Sequence, residues 1–95
     1  MPKAYLVANI RVHDPEGYDR FRAMSGPAIA TYGGRVLVRN PKPERHEGKV
    51  EGVAILIEFD DIAAARAFYT SPEYTAARAE REKAADTDLM LVEGV

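Results

Sequence analysis

One stretch near the middle of the chain decides its fold: Val53-Ala54-Ile55-Leu56-Ile57-Glu58-Phe59. It is rich in β-branched and aliphatic residues, which favour a strand. Its first five residues are apolar without alternation, so both faces of this strand should be buried. In a sheet that carries helices on one side only, the second face needs another cover. The stretch therefore predicts a layered α+β domain and a partner for its bare face.

Upstream of this stretch, the sequence predicts a strand, a helix and a second strand. Ala4 to Val12 is typical of a strand, and Asp14-Pro15-Glu16 supplies an N-cap acceptor, a proline at the first helical position and an acid in the first turn. Gly26-Pro27 should kink or restart the helix, Gly33-Gly34 should end it, and Arg35 to Arg39 should form the second strand. Apolar residues at helical spacing predict one buried stripe: Tyr18, Phe21, Met24, Ala28 and Tyr32.

Downstream, the sequence predicts a second helical region and a last strand. The polar stretch from Asn40 to Gly52 is long for a hairpin loop, and such loops are more often functional or mobile. Asp60-Asp61 should cap a helix, and Ser71-Pro72-Glu73 repeats the start signal for a segment that runs toward Ala85. Leu89 to Val92 should be the last strand.

The predicted element order, βαββαβ, is that of a ferredoxin-like sandwich spanning residues 1–95 as one domain. Such a sandwich has a four-stranded antiparallel sheet with two helices on one face. Right-handed crossovers place its first and third strands side by side in the centre. Because the double-sided apolar strand would leave too large an apolar face in water, we expect a homodimer joined through the sheet face.

Composition excludes several classes of function. The net charge is −2 and the chain has no cysteine, which argues against nucleic acid as a partner and excludes disulfides, thiolate catalysis and cysteine-ligated zinc. Neither His13 nor His46 has a metal-ligand spacing, so we expect no metal and no cofactor. The apolar start is shorter than a membrane span and lacks a cleavage site, so a cytoplasmic location without a membrane partner is expected.

Several short motifs along the chain occur together in one protein family. They include Tyr32-Gly33-Gly34, Ile57-Glu58-Phe59, Ser71-Pro72-Glu73-Tyr74 and Val92-Glu93-Gly94-Val95. With them, the whole chain resembles a family of small bacterial proteins, domain of unknown function 1330 (DUF1330), within the dimeric α/β-barrel group. The resemblance implies a fold and a dimer, but no reaction. Related dimeric barrels include cofactor-independent monooxygenases, small isomerases and haem-dependent enzymes, which is analogy at the level of the fold.

The chain departs from the family pattern in the long loop. Asn40-Pro41 stands where the family usually carries two glycines, and His46 stands where it usually has a leucine before the Glu-Gly pair. Both changes make the loop stiffer and more polar.

Catalytic residues are not identifiable, but six residues are candidates for binding a small organic molecule: Tyr32, Arg39, His46, Glu58, Tyr69 and Tyr74. The tyrosines can line a cleft between helices and sheet, although aromatic residues at helical spacing are more often core. Arg39 can hold an anion through its planar fork, and His46 lies in the long loop. Glu58 could act as a base if buried, but an ion pair with Arg35 across the hairpin is the simpler interpretation. The charged segment from Arg78 to Lys83 is interpreted as a solvated helix face.

Two functions of different classes remain open. The first is a homodimer that binds a small molecule in a cleft between helices and sheet, with cofactor-independent oxygenase or isomerase activity there. It predicts a closed apolar pocket on which two kinds of residue converge: one of Tyr32, Tyr69 or Tyr74, and one of Arg39, His46 or Glu58. The second is a non-enzymatic accessory or regulatory module, which predicts a filled core. A haem-dependent role would need His13 or His46 on the helix-facing cleft.

Overall fold

A computed structural model describes residues 1–95. The elements in chain order are β1 (Ala4–Val12), α1 (Pro15–Thr31), β2 (Arg35–Asn40), β3 (Val53–Phe59), α2 (Ile62–Thr70), α3 (Pro72–Ala84) and β4 (Ala85–Glu93). The strands form one sheet in the order β2-β3-β1-β4, and every neighbouring pair is antiparallel. The predicted α+β class and four-stranded antiparallel sheet are confirmed, with the first and third strands adjacent in the centre.

The helices differ from the prediction in number and continuity. The structure has three helices rather than two. The start signal predicted at Ser71 is confirmed, since Ser71 adopts an extended backbone and its hydroxyl accepts the N–H of Tyr74, and it divides the second helical region into α2 and α3. In contrast, α1 continues through Pro27 without a restart. A proline inside a helix removes one hydrogen bond and crowds the preceding turn, at a cost of about 3 kcal/mol. Burial of Ser25 and Ala28 on either side of it against the core offsets part of this cost.

The buried side of α1 also differs from the predicted stripe. Met24 keeps 39% of its surface exposed, so it does not belong to the stripe. The residues of α1 that are buried lie mostly four apart: Gly17, Phe21, Ser25, Ala28 and Ile29.

The core lies between the sheet and the three helices. Alternate residues of β1 point toward the helices, among them Leu6, which pairs with Ile57 of β3. Phe59 and Phe68 are fully buried, with ring centroids 5.3 Å apart. Burying a phenylalanine side chain contributes about 1.5–3 kcal/mol, so this contact helps to hold α2 against the sheet.

The last strand is longer than predicted and follows α3 without a loop. It begins at Ala85 rather than Leu89. Its first half is mostly polar and has no apolar pattern, so the sequence did not indicate a strand there. The carbonyl of Ala84 accepts both the N–H of His13 and the N–H of Asp14, each at 3.0 Å. This junction ties the end of α3 to the end of β1.

The other face of the sheet carries no helix. One register row crosses all four strands on this face, from Val38 through Leu56 and Val7 to Met90. All four residues of this row are apolar, and Met90 is 55% exposed. The predicted double-sided character of β3 is therefore present, and the apolar row lies on the uncovered side.

The edge strand β2 is irregular. Its pairing with β3 shifts register between Val36 and Val38, so Leu37 forms a bulge. All six residues of β2 are exposed.

None of the helices has the length and apolar character that a membrane span requires.

Candidate functional site

A cleft opens between α1, α3 and the helix-facing side of the sheet. Of its 15 lining residues, 11 are hydrophobic. Leu6, Ala8 and Ile10 of β1 form its floor, because alternate residues of a strand point to one side. Its cavity volume is about 30 Å³, far below the roughly 300–1,000 Å³ of a typical site for a small molecule.

The cleft is narrow inside. A volume of about 30 Å³ holds roughly two water molecules, so an organic molecule fits only if side chains at the mouth shift. Arg22 of α1 and Arg39 of β2 line the cleft and are themselves exposed.

The charge of the cleft is positive only. Three arginines line it, Arg22, Arg39 and Arg81, and no aspartate or glutamate does. Arginine stays protonated in proteins. The cleft therefore combines apolar walls with three positive charges that no lining carboxylate neutralises.

Arg81 is the buried member of this group, with 5% of its surface exposed. Its Nη1 donates to the hydroxyl of Tyr74 at 2.6 Å, and its guanidinium lies 5.6 Å from the ring centre of Phe21. Its Nε is buried without a hydrogen-bond partner. Aromatic contacts offset part of the cost of burying a cation, but an unpaired buried charge still costs several kcal/mol. Arg81 thus has both a free donor and an uncompensated charge.

Sequence reasoning missed Arg81, since it placed the whole segment from Arg78 to Lys83 on a solvated face. That interpretation is wrong for Arg81, although the pair of Arg78 and Glu82 does lie at the surface, 3.6 Å apart. The buried residues of α3 are Tyr74, Ala77, Arg81 and Ala84. Their spacing of three and four is that of one helical stripe, and this periodicity was the signal that could have identified Arg81.

Tyr18 is the second residue that sequence reasoning did not assign to a site. It is half-buried, lines the cleft and packs against Phe21, with ring centres 5.8 Å apart. Burial raises the pKa of its phenol, and the nearby carboxylate of Asp19 acts in the same direction, while the charges of Arg22, Arg39 and Arg81 oppose them. All three guanidinium groups therefore act electrostatically on one phenol, which stays protonated at neutral pH.

The structure brings two of the six predicted ligand-binding residues into this cleft, Arg39 and Tyr74. Burial raises the pKa of the Tyr74 phenol against the opposing charge of Arg81. Tyr32 and Tyr69 lie outside the cleft. The ring of Tyr32 packs on Phe68 at 6.4 Å, and the hydroxyl of Tyr69 accepts a hydrogen bond from Arg78 at 2.6 Å.

The other two predicted residues are also outside the cleft. Glu58 lies on the bare face of the sheet, where it accepts hydrogen bonds from the Tyr5 hydroxyl at 3.2 Å and from Arg35 Nε at 3.0 Å. The pairing with Arg35 that the sequence suggested is therefore present. His46 lies in the exposed loop, 3.1 Å from Glu44. No histidine lines the cleft, and nowhere do three potential metal-ligating side chains come together.

Comparison with known proteins agrees with this architecture. A family model described as domain of unknown function (DUF1330) matches residues 3–95. No curated protein matches the chain.

Solved structures share the fold at low sequence identity. A protein of unknown function from Rhodopseudomonas palustris is 19% identical, with a TM-score of 0.74 over 99% of this chain and 83% of that one. SnoaB, a cofactor-independent oxygenase from Streptomyces nogalater, is 14% identical, with a TM-score of 0.71 over 100% and 95%. A dimeric ferredoxin-like protein of unknown function from Jannaschia sp. is 14% identical, with a TM-score of 0.68 over 97% and 99%. At these identities the likeness concerns the fold alone.

Proposed function

The chain belongs to the DUF1330 family, and we propose that it binds a small organic anion in the cleft between α1, α3 and the sheet. The observation that carries this proposal is the buried guanidinium of Arg81, whose Nε lacks a partner and whose charge is not neutralised. A buried charge without a counterion is costly. A bound anion would supply both the missing acceptor and the missing charge.

The lining defines the chemistry of this ligand. An apolar body would pack on the aliphatic floor around Leu6 and Ile57, and its oxyanion would face Arg81. Hydrogen bonds between a guanidinium and an oxyanion are about twice as strong as neutral ones. Arg22 and Arg39 at the mouth would draw anions inward.

The same cleft suits cofactor-independent oxygenation or isomerisation, because such reactions pass through an anion of the substrate. Positive groups fixed in an apolar cavity stabilise that kind of charge. SnoaB, named a cofactor-independent oxygenase, shares the fold, which makes oxygen consumption a suitable assay. The alternative function, a dimeric accessory module without a ligand, predicts that no small anion binds here.

Binding of matched aromatic probes tests the proposal. Benzoate should bind, benzamide of the same shape without the charge should bind at least tenfold more weakly, and benzylamine should not bind. Arg39→Gln should weaken benzoate binding. Arg66→Gln removes an exposed arginine outside the cleft and should leave binding unchanged. Calorimetry gives the affinities, and amide chemical shifts place the probe.

The proposal fails if benzoate and benzamide bind equally well, or if neither shifts the amides of residues that line the cleft. The first result would mean that the arginines do not select charge. The second would support the accessory module.

We also propose that two copies of the chain pair through the bare sheet face. The support is the apolar row that crosses all four strands from Val38 to Met90, since soluble monomers rarely expose continuous apolar surface of this kind. Met90→Lys should favour the monomer in light scattering, while Met24→Lys, on the exposed side of α1, should not. A mass near 10.5 kDa for the unaltered chain would contradict this pairing.

A further inference from the structure

We infer that the anion bound in the cleft is a carboxylate, and that Thr87 of β4 binds the oxygen that Arg81 does not. This inference rests on the proposed anion-binding function and deepens it, because it names the charged group of the ligand and a second residue that selects it. Thr87 lies next to the cleft lining rather than within it.

Thr87 continues the floor of the cleft toward the end of α3. Its partner across the strand pair is Ile10, a residue of the floor, and directly paired side chains lie on one side of a sheet, roughly 4.5–5.5 Å apart. Leu89, two residues further along β4, lines the cleft and points to the same side as Thr87. Between Ala85 and Leu91, Thr87 is the one polar residue on this side of β4.

The hydroxyl of Thr87 and the guanidinium of Arg81 share an unusual property. Two buried side-chain atoms of the protein lack a hydrogen-bond partner, and they are Arg81 Nε and Thr87 Oγ1. Both residues line one depression at the junction of α3 and β4, and Arg81 lines the cleft as well. Buried polar atoms normally find a partner in the protein, in ordered water or in a ligand. The two atoms therefore mark one place where a polar ligand group is needed.

The chemistry of the two atoms favours a carboxylate. The Nε–H of Arg81 can only donate, and the hydroxyl of Thr87 can donate to an oxyanion. The hydroxyl does not accept from this Nε–H, so the two donors do not satisfy each other. A carboxylate places one oxygen at each donor and shares its charge between them, whereas a phenolate or enolate has a single oxygen for both.

The charges around these donors indicate how the ligand lies. The depression at the junction is lined by two acids, Glu82 and Asp86, as well as by two arginines, so it does not attract anions as the cleft does. The carboxylate should therefore reach Arg81 and Thr87 from the cleft, where every charged lining residue is an arginine. The apolar body of the ligand then lies over the aliphatic floor.

Threonine variants and two anions test this inference by calorimetry. Thr87→Val keeps the branched shape without the hydroxyl and should weaken benzoate binding at least about tenfold, because a hydrogen bond to a charged group is lost. Thr87→Ser keeps the hydroxyl and should retain most of the affinity. Thr75→Val removes an exposed hydroxyl of α3 outside the cleft and should leave the affinity unchanged. Para-nitrophenolate, with one oxygen at its charged end, should bind more weakly than benzoate, and Thr87→Val should not weaken it further.

The outcomes separate this inference from the function on which it rests. Equal binding of benzoate by Thr87→Val and the parent overturns the inference and leaves the anion site standing. Equal weakening by Thr87→Val and Thr87→Ser overturns it too, because the loss then comes from packing rather than from the hydroxyl. An equal loss of para-nitrophenolate and benzoate in Thr87→Val shows that the hydroxyl does not select a carboxylate. Failure of benzoate to bind the parent overturns the anion site itself.

Discussion

Replacing Arg81 together with its hydrogen-bond partner should stabilise the protein while abolishing ligand binding. The change is Arg81→Met combined with Tyr74→Phe. Methionine follows the path of the arginine stem and fills irregular apolar space. Phenylalanine keeps the ring that packs against Phe21 and Phe68, whose centres lie 6.3 Å and 4.4 Å from that of Tyr74. The pair therefore removes the polar groups and keeps the packing.

The expected magnitude is the balance between the interactions of Arg81 and the cost of burying its charge. The double variant forgoes a hydrogen bond to a charged group, about 1.5–3 kcal/mol, and cation–π interactions with two rings, about 0.5–1 kcal/mol each. It removes a buried cation without a counterion, whose cost is several kcal/mol. Even a buried ion pair, whose charges compensate each other, often gives a gain of about 1–4 kcal/mol when apolar residues of similar volume replace it. We expect the free energy of unfolding to rise by about 1–3 kcal/mol.

Urea denaturation followed by circular dichroism measures this change, with an unaltered m-value showing that the folded state is equally compact. Tyr74→Phe alone should lower stability by about 1–3 kcal/mol, because Arg81 then loses its remaining acceptor. If the double variant is less stable than the parent, Arg81 is a structural residue, and its unpaired Nε does not indicate an anion-binding site.

Two further predictions concern the turn glycines and the surface charges. Gly52 has φ +107°, and a Cβ there would collide with the carbonyl oxygen of Ile10, whereas Gly48 at φ +88° has free space around it. Gly52→Ala should therefore cost about 1–3 kcal/mol more than Gly48→Ala in thermal unfolding, and equal losses would contradict this. The pKa of Asp60 lies below its usual value because Lys3 and Arg35 donate hydrogen bonds to it. Its contribution to stability is then present above the unfolded pKa and lost as pH falls through the folded one. Carboxyl titration by NMR should show this lowered midpoint, Lys3→Met should raise it, and a midpoint insensitive to Lys3→Met would refute the assignment.

The sequence predicted the layers of this fold because its signals are local. Proline after an acid or serine marks a helix start whatever the surroundings, so Ser71 capped α3 as expected. The unbroken apolar run of β3 likewise predicted a central strand. The restart predicted at Pro27 is wrong, because whether a proline ends a helix depends on the tertiary contacts of its neighbours. The first half of β4 was missed because its polar residues lack an apolar period, and pairing with β1 holds them in the sheet.

The candidate site was less predictable than the fold, because it depends on which side chains of distant elements meet. Arg39 and Tyr74 were chosen for their chemistry, and the structure places them in one cleft with Tyr18. Glu58 was chosen for its unusual position in a strand, but the alternation of side chains puts it on the other face of the sheet. Arg81 was not predicted as a site residue, because arginine is usually exposed and its charged neighbours indicated a solvated helix face. Its position on an apolar stripe was the weaker signal.

The direct passage from α3 into β4 has a consequence for affinity. Arg81 lies one helical turn before Ala84, whose carbonyl accepts the backbone N–H groups of His13 and Asp14, the two residues that follow β1. The last turn of α3 is therefore fixed to the sheet before any ligand arrives. Ordering a long side chain during association costs about 0.5–1.5 kcal/mol. For Arg81, the loss of side-chain freedom behind this cost has already occurred during folding. If the proposed anion binds here, a guanidinium held in place beforehand would let a ligand of few atoms bind with less loss of entropy.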